Sequence, residues 1–325
     1  MKNILYLGSI IFIFFFLFNC KQFNNSNIQN HSSLSINDTL LNEKIRLGKK
    51  LFFDKRLSIN NEISCASCHI PKLAFTDGKA LSIGVNGNKT QRNASTILNV
   101  AFLPTIMYDA HLPTLEQQVI VPIQEHTEMG MNMKDLILKI SKIDFYQNTS
   151  KKIFNRDFDA WVLTRSISAF ERSLYSTNSN FDKFYYNNDN RALSKSQKRG
   201  WKLFSEKFHC HQCHPAPYFT NFKPINNGLY IDYGKDKGRF RIHNDSLDIG
   251  KFKVPSLRNV ELTGPYMHDG SFTSIDEVIN HYANGGKEHV NKDKRIVPFN
   301  ISKTERIDLK NFLISLTDTS YIVDY

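Results

Sequence analysis

The chain has 325 residues, of which 41% are hydrophobic and 22% are charged, a composition typical of a soluble globular chain that can bury a core. Its length predicts one large domain or two of ordinary size. The formal net charge of +11 would suit nucleic acid, an anionic membrane surface or an acidic protein. Because the lysines are scattered and no nucleic-acid motif is present, we expect a generally basic surface and no nucleic acid partner.

Residues 1–19 are typical of a lipoprotein signal peptide. Their apolar run, from residue 4 to residue 18, is too short for a transmembrane helix, which needs about 20 apolar residues. Cys20 follows at the point where a bacterial lipoprotein is cleaved and acylated, although Asn19 is bulkier than the usual small residue. The pattern predicts export and a lipid anchor on Cys20. The alternative is ordinary secretion, with Cys20 discarded or idle.

The next segment, residues 20–40, is polar and lacks apolar periodicity, which predicts a flexible tether. We expect the folded part to begin near Leu41. A helix is predicted over residues 46–58, leading into the first of two short cysteine motifs.

These motifs are two copies of the pattern Cys-x-x-Cys-His, formed by Cys65, Cys68 and His69 and by Cys210, Cys213 and His214. The pattern is that of c-type haem attachment, because each thiol can add to a haem vinyl group while the histidine binds the iron. A single copy could also be half of a zinc site or a redox pair. Because a zinc site would leave both histidines unexplained, we predict two covalently bound c-type haems. No cysteine then remains for a disulfide, and haem attachment outside the cytoplasm agrees with export.

A weak internal repeat surrounds the motifs. Gly48, Leu51 and Phe52 precede the first motif as Gly200, Leu203 and Phe204 precede the second. The repeat predicts two tandem cytochrome c-like units. Because the polar stretch over residues 178–190 precedes a new helix, we expect an N-terminal haem domain over residues 41–190 and a C-terminal haem domain over residues 191–325.

The remaining patterns predict helices. One helical face between the motifs should be core, formed by Leu163, Ile167, Phe170 and Leu174. Ser302 and Glu305 form a capping box before a final helix with an apolar face made of Leu309, Phe312, Leu313 and Leu316. Since no run of alternating strands is present, the predicted fold class is mainly α with extensive irregular loops.

Five further segments carry a family resemblance, namely Leu47–Ser58, Arg92–Asn93, Ala169–Arg172, Val254–Asn259 and Gly264–Gly270. With both haem motifs, they make the chain similar to the bacterial di-haem cytochrome c peroxidases. This family includes a relative that builds the tryptophan tryptophylquinone cofactor of methylamine dehydrogenase. The resemblance covers residues 41–317.

The resemblance implies that the N-terminal haem, with His69 as proximal ligand, is the peroxide site. Gln118 and Glu128 stand where the family keeps its distal glutamine and glutamate, with Pro122 between them. A carboxylate beside bound peroxide can take the proton from the inner oxygen and deliver it to the outer one. Gln118 could hold peroxide and water by hydrogen bonds. The alternative is that both are polar residues on a helix surface.

The resemblance also implies that the C-terminal haem, with His214 as proximal ligand, is the site of electron entry and storage. The family holds a calcium ion between its domains with an asparagine side chain and two backbone carbonyls. Asn93, Thr263 and Pro265 match these positions, and such oxygen ligands suit calcium.

Three positions depart from the family pattern. Val85 stands where many members have a removable distal histidine, and Tyr108 replaces a tryptophan between the haems. Tyr282 stands where most members have a methionine opposite the second iron. The quinone-forming relative also has a tyrosine at this position. The alternative ligand there is Met267. We expect surface or structural roles for the remaining candidate ligands, His111, His126, His209 and His211.

The predicted function is that of a periplasmic, lipid-anchored peroxidase that reduces hydrogen peroxide to water. A homodimer is one expected form of the enzyme. A small cytochrome c or copper protein would supply the electrons. A second hypothesis is a di-haem oxidase that uses peroxide or oxygen to modify residues of a partner protein, and Tyr282 favours it. A third is a plain di-haem electron carrier, which the open coordination implied by Val85 disfavours.

Overall fold

Helices dominate the computed structural model, which describes residues 39–324. The predicted signal peptide, Cys20 and the tether up to residue 38 lie outside the described residues. The α-helices are α1 Thr39–Phe52, α2 Cys65–Cys68, α3 Leu115–Gln124, α4 Met133–Ile140, α5 Asp144–Phe154, α6 Ala160–Arg172, α7 Asn180–Tyr185, α8 Lys195–Lys202, α9 Phe240–His243, α10 Ile275–Ala283 and α11 Lys303–Ile314. Among these residues, no helix is both long enough and apolar enough to cross a membrane.

Short helical turns and one small sheet complete the fold. A π-helical turn, Leu203–Lys207, continues α8. The 3₁₀ turns are Lys55–Leu57, Pro71–Leu73, Val85–Gly87, Val100–Phe102, Cys210–Gln212, Ser246–Asp248 and Ser320–Asp324. Strands β1 (Pro224–Ile225) and β2 (Phe252–Lys253) pair antiparallel. The mainly α class with extensive irregular loops is therefore confirmed.

The helix before the first cysteine motif differs from the prediction over residues 46–58. It begins earlier, at Thr39, and ends at Phe52. Asp54 stops it, because its carboxylate accepts a hydrogen bond from the backbone nitrogen of Arg56 at 2.9 Å and caps a new 3₁₀ turn. The Tyr146 hydroxyl donates to the same carboxylate at 2.5 Å, so a distant residue helps to end α1.

Two large hydrophobic cores occupy the described chain. The first consists of residues between Leu47 and Leu174 together with Tyr321. The second consists of residues between Phe181 and Leu316. The change from one core to the other falls just before the domain boundary predicted near residue 190. That boundary, and the tandem cytochrome c-like arrangement of the domains, stay predictions.

The internal repeat corresponds to a helix crossing that occurs twice. A Cβ added to Gly48 of α1 would lie 1.8 Å from the carbonyl oxygen of Ser166 in α6. A Cβ added to Gly200 of α8 would lie 2.0 Å from the carbonyl oxygen of Asp308 in α11. Only glycine allows backbones to approach so closely, and each crossing builds one of the two cores.

The core predictions from helical periodicity are confirmed. The predicted stripe on α6 and just beyond it is buried, comprising Leu163, Ile167, Phe170 and Leu174. The predicted capping box opens α11, since Ser302 Oγ accepts from the Glu305 backbone nitrogen at 3.2 Å and Glu305 Oε2 accepts from the Ser302 backbone nitrogen at 3.0 Å. The apolar face of α11 is buried as well.

Candidate functional site

The first cysteine motif forms one helical turn, α2, with its histidine just beyond the end. Ser64 caps this turn, and its backbone nitrogen donates to Ser67 Oγ at 3.0 Å. His69 Nδ1 lies 2.9 Å from the carbonyl oxygen of Phe75. This contact fixes the ring and leaves Nε2 as the nitrogen that can bind a metal.

The second motif repeats this arrangement. His214 Nδ1 lies 2.9 Å from the carbonyl oxygen of Phe219, which again leaves Nε2 available. Burial lowers the pKa of His214 to about 4 and also lowers the pKa of His69. Both imidazoles are therefore neutral at physiological pH, the form that binds iron.

The four cysteines of the motifs suit covalent haem attachment. None of them forms a disulfide. Burial raises the pKa of Cys210 to about 12 and raises that of Cys65 strongly, so these sulfurs lie in apolar surroundings. Within residues 39–324, no cluster of three or more His, Cys, Asp or Glu side chains is arranged to hold a metal ion. The two thiols and one histidine of each motif match the residues that hold a c-type haem.

A cavity of about 490 Å³, part of it open to solvent, lies against the first motif. Its polar and sulfur-bearing lining includes Cys65, Cys68, His69, Gln118, Glu128 and Glu171. The predicted proximal histidine and the predicted distal pair, which are far apart in sequence, thus share one cavity. Their catalytic roles stay predictions.

Helix α3 and the turn after it place the distal pair. Thr114 caps α3 by accepting from the Gln117 backbone nitrogen at 3.3 Å, and Gln118 and Pro122, four residues apart, line the cavity. The chain then turns back, because the carbonyl oxygen of Glu125 accepts hydrogen bonds at 2.9 Å from the backbone nitrogens of Glu128 and Gly130. This turn carries Glu128 to the cavity wall.

The protein environment stabilises the protonated, neutral form of the Glu128 carboxyl group relative to a glutamate in water. Burial, followed by repulsion from the Glu125 carboxylate, raises the pKa of Glu128 to about 7. Near neutral pH, Glu128 can therefore both accept and donate a proton.

The buried Val85 is a neighbour of Glu128, since its backbone nitrogen donates to the carbonyl oxygen of Glu128 at 2.9 Å.

Around the second motif, Asn227 lies near both residues predicted as alternative ligands of the second iron. Its Nδ2 donates to Met267 Sδ at 3.4 Å, and its side chain is close enough to Tyr282 to oppose the rise in the pKa of that hydroxyl. Burial raises the pKa of Tyr282, and the Cys213 and Cys210 sulfurs are close enough to contribute to this increase. Tyr282 thus lies near the second motif, while the choice between tyrosine and methionine stays open.

Comparisons with known proteins identify the family of this chain. A family model described as di-haem cytochrome c peroxidase matches residues 42–191. The methylamine utilization protein MauG of Methylophilus methylotrophus is 34% identical over 86% of this chain and 84% of the relative. This chain belongs to the di-haem cytochrome c peroxidase family. The cytochrome-c peroxidase IdrP1 of Pseudomonas sp. (strain SCT) is 33% identical, over 85% of this chain and 81% of that protein.

Solved structures share the fold of this family member. A crystal structure of a MauG-like protein associated with microbial copper homeostasis has a TM-score of 0.81 and 34% identity, covering 86% of this chain and 91% of that one. The diheme peroxidase BthA from Burkholderia thailandensis E264 has a TM-score of 0.70 at 20% identity, with 86% and 87% of the two chains covered. The latter similarity concerns the fold alone.

The residues predicted to bind the family's calcium ion lie on two segments that contact each other. Asn93 Nδ2 donates to the carbonyl oxygen of Lys79 at 2.8 Å, so its side-chain oxygen remains for a cation. The Asn93 backbone nitrogen donates to the carbonyl oxygen of His268 at 2.8 Å. This bond ties Asn93 to the loop that contains Thr263 and Pro265. The calcium site stays a prediction.

The other departures from the family pattern have structural surroundings of their own. The carbonyl oxygen of Tyr108 accepts from the Lys253 backbone nitrogen at 2.7 Å, and the Arg92 guanidinium lies 5.9 Å from the centre of the Tyr108 ring. The exposed His126 pairs with Glu125. None of the four spare histidines, which all lie within the described chain, lines the cavity.

One titratable residue of the cavity lining received no role from sequence reasoning. Glu171 belongs to the segment Ala169–Arg172, which supported the family resemblance only as a pattern. The one available signal was a glutamate directly after the apolar Phe170 on a core-facing helix. Its presence in the cavity depends on how α6 packs against α3, which periodicity does not specify.

Proposed function

We propose that this protein is a di-haem c-type peroxidase that reduces hydrogen peroxide to water with electrons from a small periplasmic donor. The observation that carries this proposal is the cavity that brings His69 together with Gln118 and Glu128. Membership of the family supports it, as do relatives named cytochrome-c peroxidase.

The first haem, attached to Cys65 and Cys68 and held by His69, would supply the iron at which peroxide is bound and split. Glu128 moves the proton from the inner peroxide oxygen to the outer one, a task for which a pKa of about 7 is well matched. Gln118 donates from its amide and holds the substrate in position. The partly enclosed cavity limits access of bulk water to these groups.

The second haem would be attached to Cys210 and Cys213 and held by His214, and would receive and store electrons. Tyr282 would also hold its iron, with Met267 as the alternative. The two haems would occupy tandem domains over residues 41–190 and 191–325. A calcium ion held by Asn93, Thr263 and Pro265 would lie between them.

The proposed location is the periplasm, reached through the signal peptide over residues 1–19, with a lipid on Cys20 holding the protein at a membrane. Haem attachment outside the cytoplasm supports export. A small cytochrome c or a copper protein would supply the electrons, and the enzyme would act as a monomer or a homodimer.

A second candidate function is oxidation of residues on a partner protein. The similarity to MauG at 34% identity and the tyrosine at position 282 favour it. A plain electron carrier is a weaker candidate, because a carrier does not need a half-buried glutamate of raised pKa facing its haem.

The deciding experiment measures peroxide consumption by the purified holoprotein with reduced small cytochromes and a reduced copper protein as donors. We expect saturable turnover of two donor electrons per peroxide. Because Val85 cannot bind iron, the fully oxidised protein should react with peroxide without prior reduction. A resting spectrum with two purely low-spin ferric haems, and no turnover with any donor, would contradict the proposal.

A further inference from the structure

Glu171 is a buried carboxyl group in the cavity, and the proposed reaction does not yet use it. Its side chain lines the cavity with His69 and Glu128, and the residue is only 5% exposed. Its Oε2 has no hydrogen-bond partner among the described residues. Since an unpartnered buried carboxyl oxygen lowers stability, its presence there points to a role in the cavity.

The neighbouring charges do not neutralise Glu171. Arg172 donates to both carboxylate oxygens of Glu116, at 2.7 and 2.9 Å, so its guanidinium is already paired. Helix α1 meets α6 through the uncharged Gly48 and Phe52.

The protonation of Glu171 follows from this environment. Burial raises its pKa to about 8, although the Arg172 charge partly opposes the shift and the Glu116 charge adds to it. The other titratable groups that line the cavity are Glu128, His69, and the two thiols Cys65 and Cys68 that attach the haem in the proposed enzyme. At neutral pH, Glu171 therefore holds a proton and carries no charge.

The chemistry of peroxide reduction creates a need for such a group. Conversion of one hydrogen peroxide to two water molecules consumes two protons and two electrons. The proposed donor supplies the electrons. Glu128 only moves a proton that the peroxide already carries, so its shuttle contributes no net proton. Both protons must enter the cavity from elsewhere.

We propose that Glu171 is a proton-holding residue that supplies one of these two protons. In this step the O–H bond of the Glu171 carboxyl group breaks, and the proton passes through cavity water to an oxygen derived from peroxide, where a new O–H bond forms. The resulting carboxylate then takes a proton from solvent, to which the cavity is partly open. This inference rests on the proposed function.

The test compares Glu171→Gln with Ser168→Ala in the holoprotein. Ser168 lies on the same helix, is fully buried, and has an unpartnered Oγ, but it does not line the cavity. We expect Glu171→Gln to keep both haems and to slow turnover by about 10²-fold, within the range of positioned proton-transfer groups. Ser168→Ala should turn over at the wild-type rate.

Two readouts separate proton supply from a structural role. Wild-type turnover should fall as pH rises through about 8, and Glu171→Gln should lack this decline. In resting wild-type protein without peroxide, infrared spectroscopy should show the carbonyl stretch of a buried carboxylic acid, which disappears over the same pH range and is absent from Glu171→Gln. Because Glu128 is a second carboxyl group of the cavity with a raised pKa, the band is assigned by its loss in Glu171→Gln and its retention in Glu128→Gln. The infrared titration of Glu128→Gln remains informative if Glu171→Gln fails to fold.

Either of two results would overturn the inference while leaving the proposed function intact. One is an active wild type whose rate and pH profile are unchanged in Glu171→Gln. The other is an infrared spectrum in which Glu171 is ionised at neutral pH. A wild type with no peroxide turnover would instead overturn the proposed function, and this inference with it.

Discussion

At the scale of single residues, the cavity presents two carboxyl groups whose pKa values are both raised, chiefly by burial. Glu128 and Glu171 have pKa values of about 7 and about 8. Glu128 lies close to another carboxylate, that of Glu125, whereas the charges nearest Glu171 are already paired with each other. The two groups can therefore hold or transfer protons in the neutral pH range, which an exposed glutamate does not do.

Glu128→Gln removes the proposed shuttle while keeping the size of the side chain. We expect both haems to remain bound and peroxide cleavage to slow by about 10²-fold or more. Because the ionised carboxylate accepts the proton, the wild-type cleavage rate should rise with pH through about 7, and the variant should lack this rise. Stopped-flow mixing with peroxide over a pH series measures both effects.

Glu125→Gln is the matched control for this prediction. It removes the neighbouring negative charge but keeps the shuttle, so the pH at which the cleavage rate rises should move downward. A wild-type rate in Glu128→Gln would show that another group transfers the proton.

Tyr282 offers a second test at the residue scale. A tyrosine oxygen favours ferric iron and lowers the reduction potential, whereas a methionine sulfur favours ferrous iron and raises it. We expect Tyr282→Phe to alter the spectrum of the second haem and Tyr282→Met to raise its potential, both measured by spectroelectrochemical titration. An unchanged spectrum in Tyr282→Phe, with a changed one in Met267→Leu, would assign the ligand to Met267.

At the scale of elements, two helix crossings organise the molecule. At each crossing an aromatic ring follows the glycine by four residues and packs on the facing helix. The ring centres of Phe52 and Phe170 are 5.0 Å apart in the first, and those of Phe204 and Phe312 are 4.9 Å apart in the second. Each glycine helix leads into a haem motif, so the crossing holds that motif against its core.

Gly48→Ala and Gly200→Ala should each destabilise the protein by about 1–3 kcal/mol or more, because the added methyl group meets a backbone carbonyl that cannot rotate away. Denaturant unfolding of the holoprotein measures the loss. Gly87→Ala is the control, since its Cβ would meet nothing within 4 Å and only its positive φ of 74° adds a cost of about 1–2 kcal/mol. Equal stability of Gly48→Ala and wild type would mean that α1 and α6 lie farther apart.

At the scale of the whole molecule, buried and partly buried ion pairs join segments that are distant in sequence. Arg258 donates to both carboxylate oxygens of Asp182 at 2.8 Å and to the carbonyl oxygen of Pro217 at 2.8 Å, just after the second haem motif. Burial alone would raise the pKa of Asp182, but the hydrogen bonds from Arg258 and Ser179 and the Arg258 charge together outweigh it and hold this pKa below its usual range. Arg92 pairs with Asp236 at 2.6 Å and so joins the N-terminal half to the C-terminal half.

Haem content tests the whole-molecule assignment. The holoprotein should carry two haems that stay attached during acid–acetone extraction, because thioether bonds are covalent. Replacing Cys65 and Cys68 together by alanine should leave one covalent haem, and replacing Cys210 and Cys213 should leave the other. Iron analysis and pyridine haemochrome spectra give the count. Zinc in place of iron would contradict the assignment.

The sequence by itself determined the features that depend on neighbours along the chain. Three such features are the spacing within each haem motif, the capping box at Ser302 and the buried stripe on α6. Each of them depends on interactions between residues a few positions apart. The tertiary structure added the hydrogen bond from Tyr146 that holds Asp54 at the point where α1 ends. It also decided that Glu171 shares a cavity with Glu128, and that Asn227 lies near both residues predicted as alternative ligands of the second iron. These contacts join residues that are far apart in sequence. The burial of these residues and their shifted pKa values arise only when packing brings them together and excludes water.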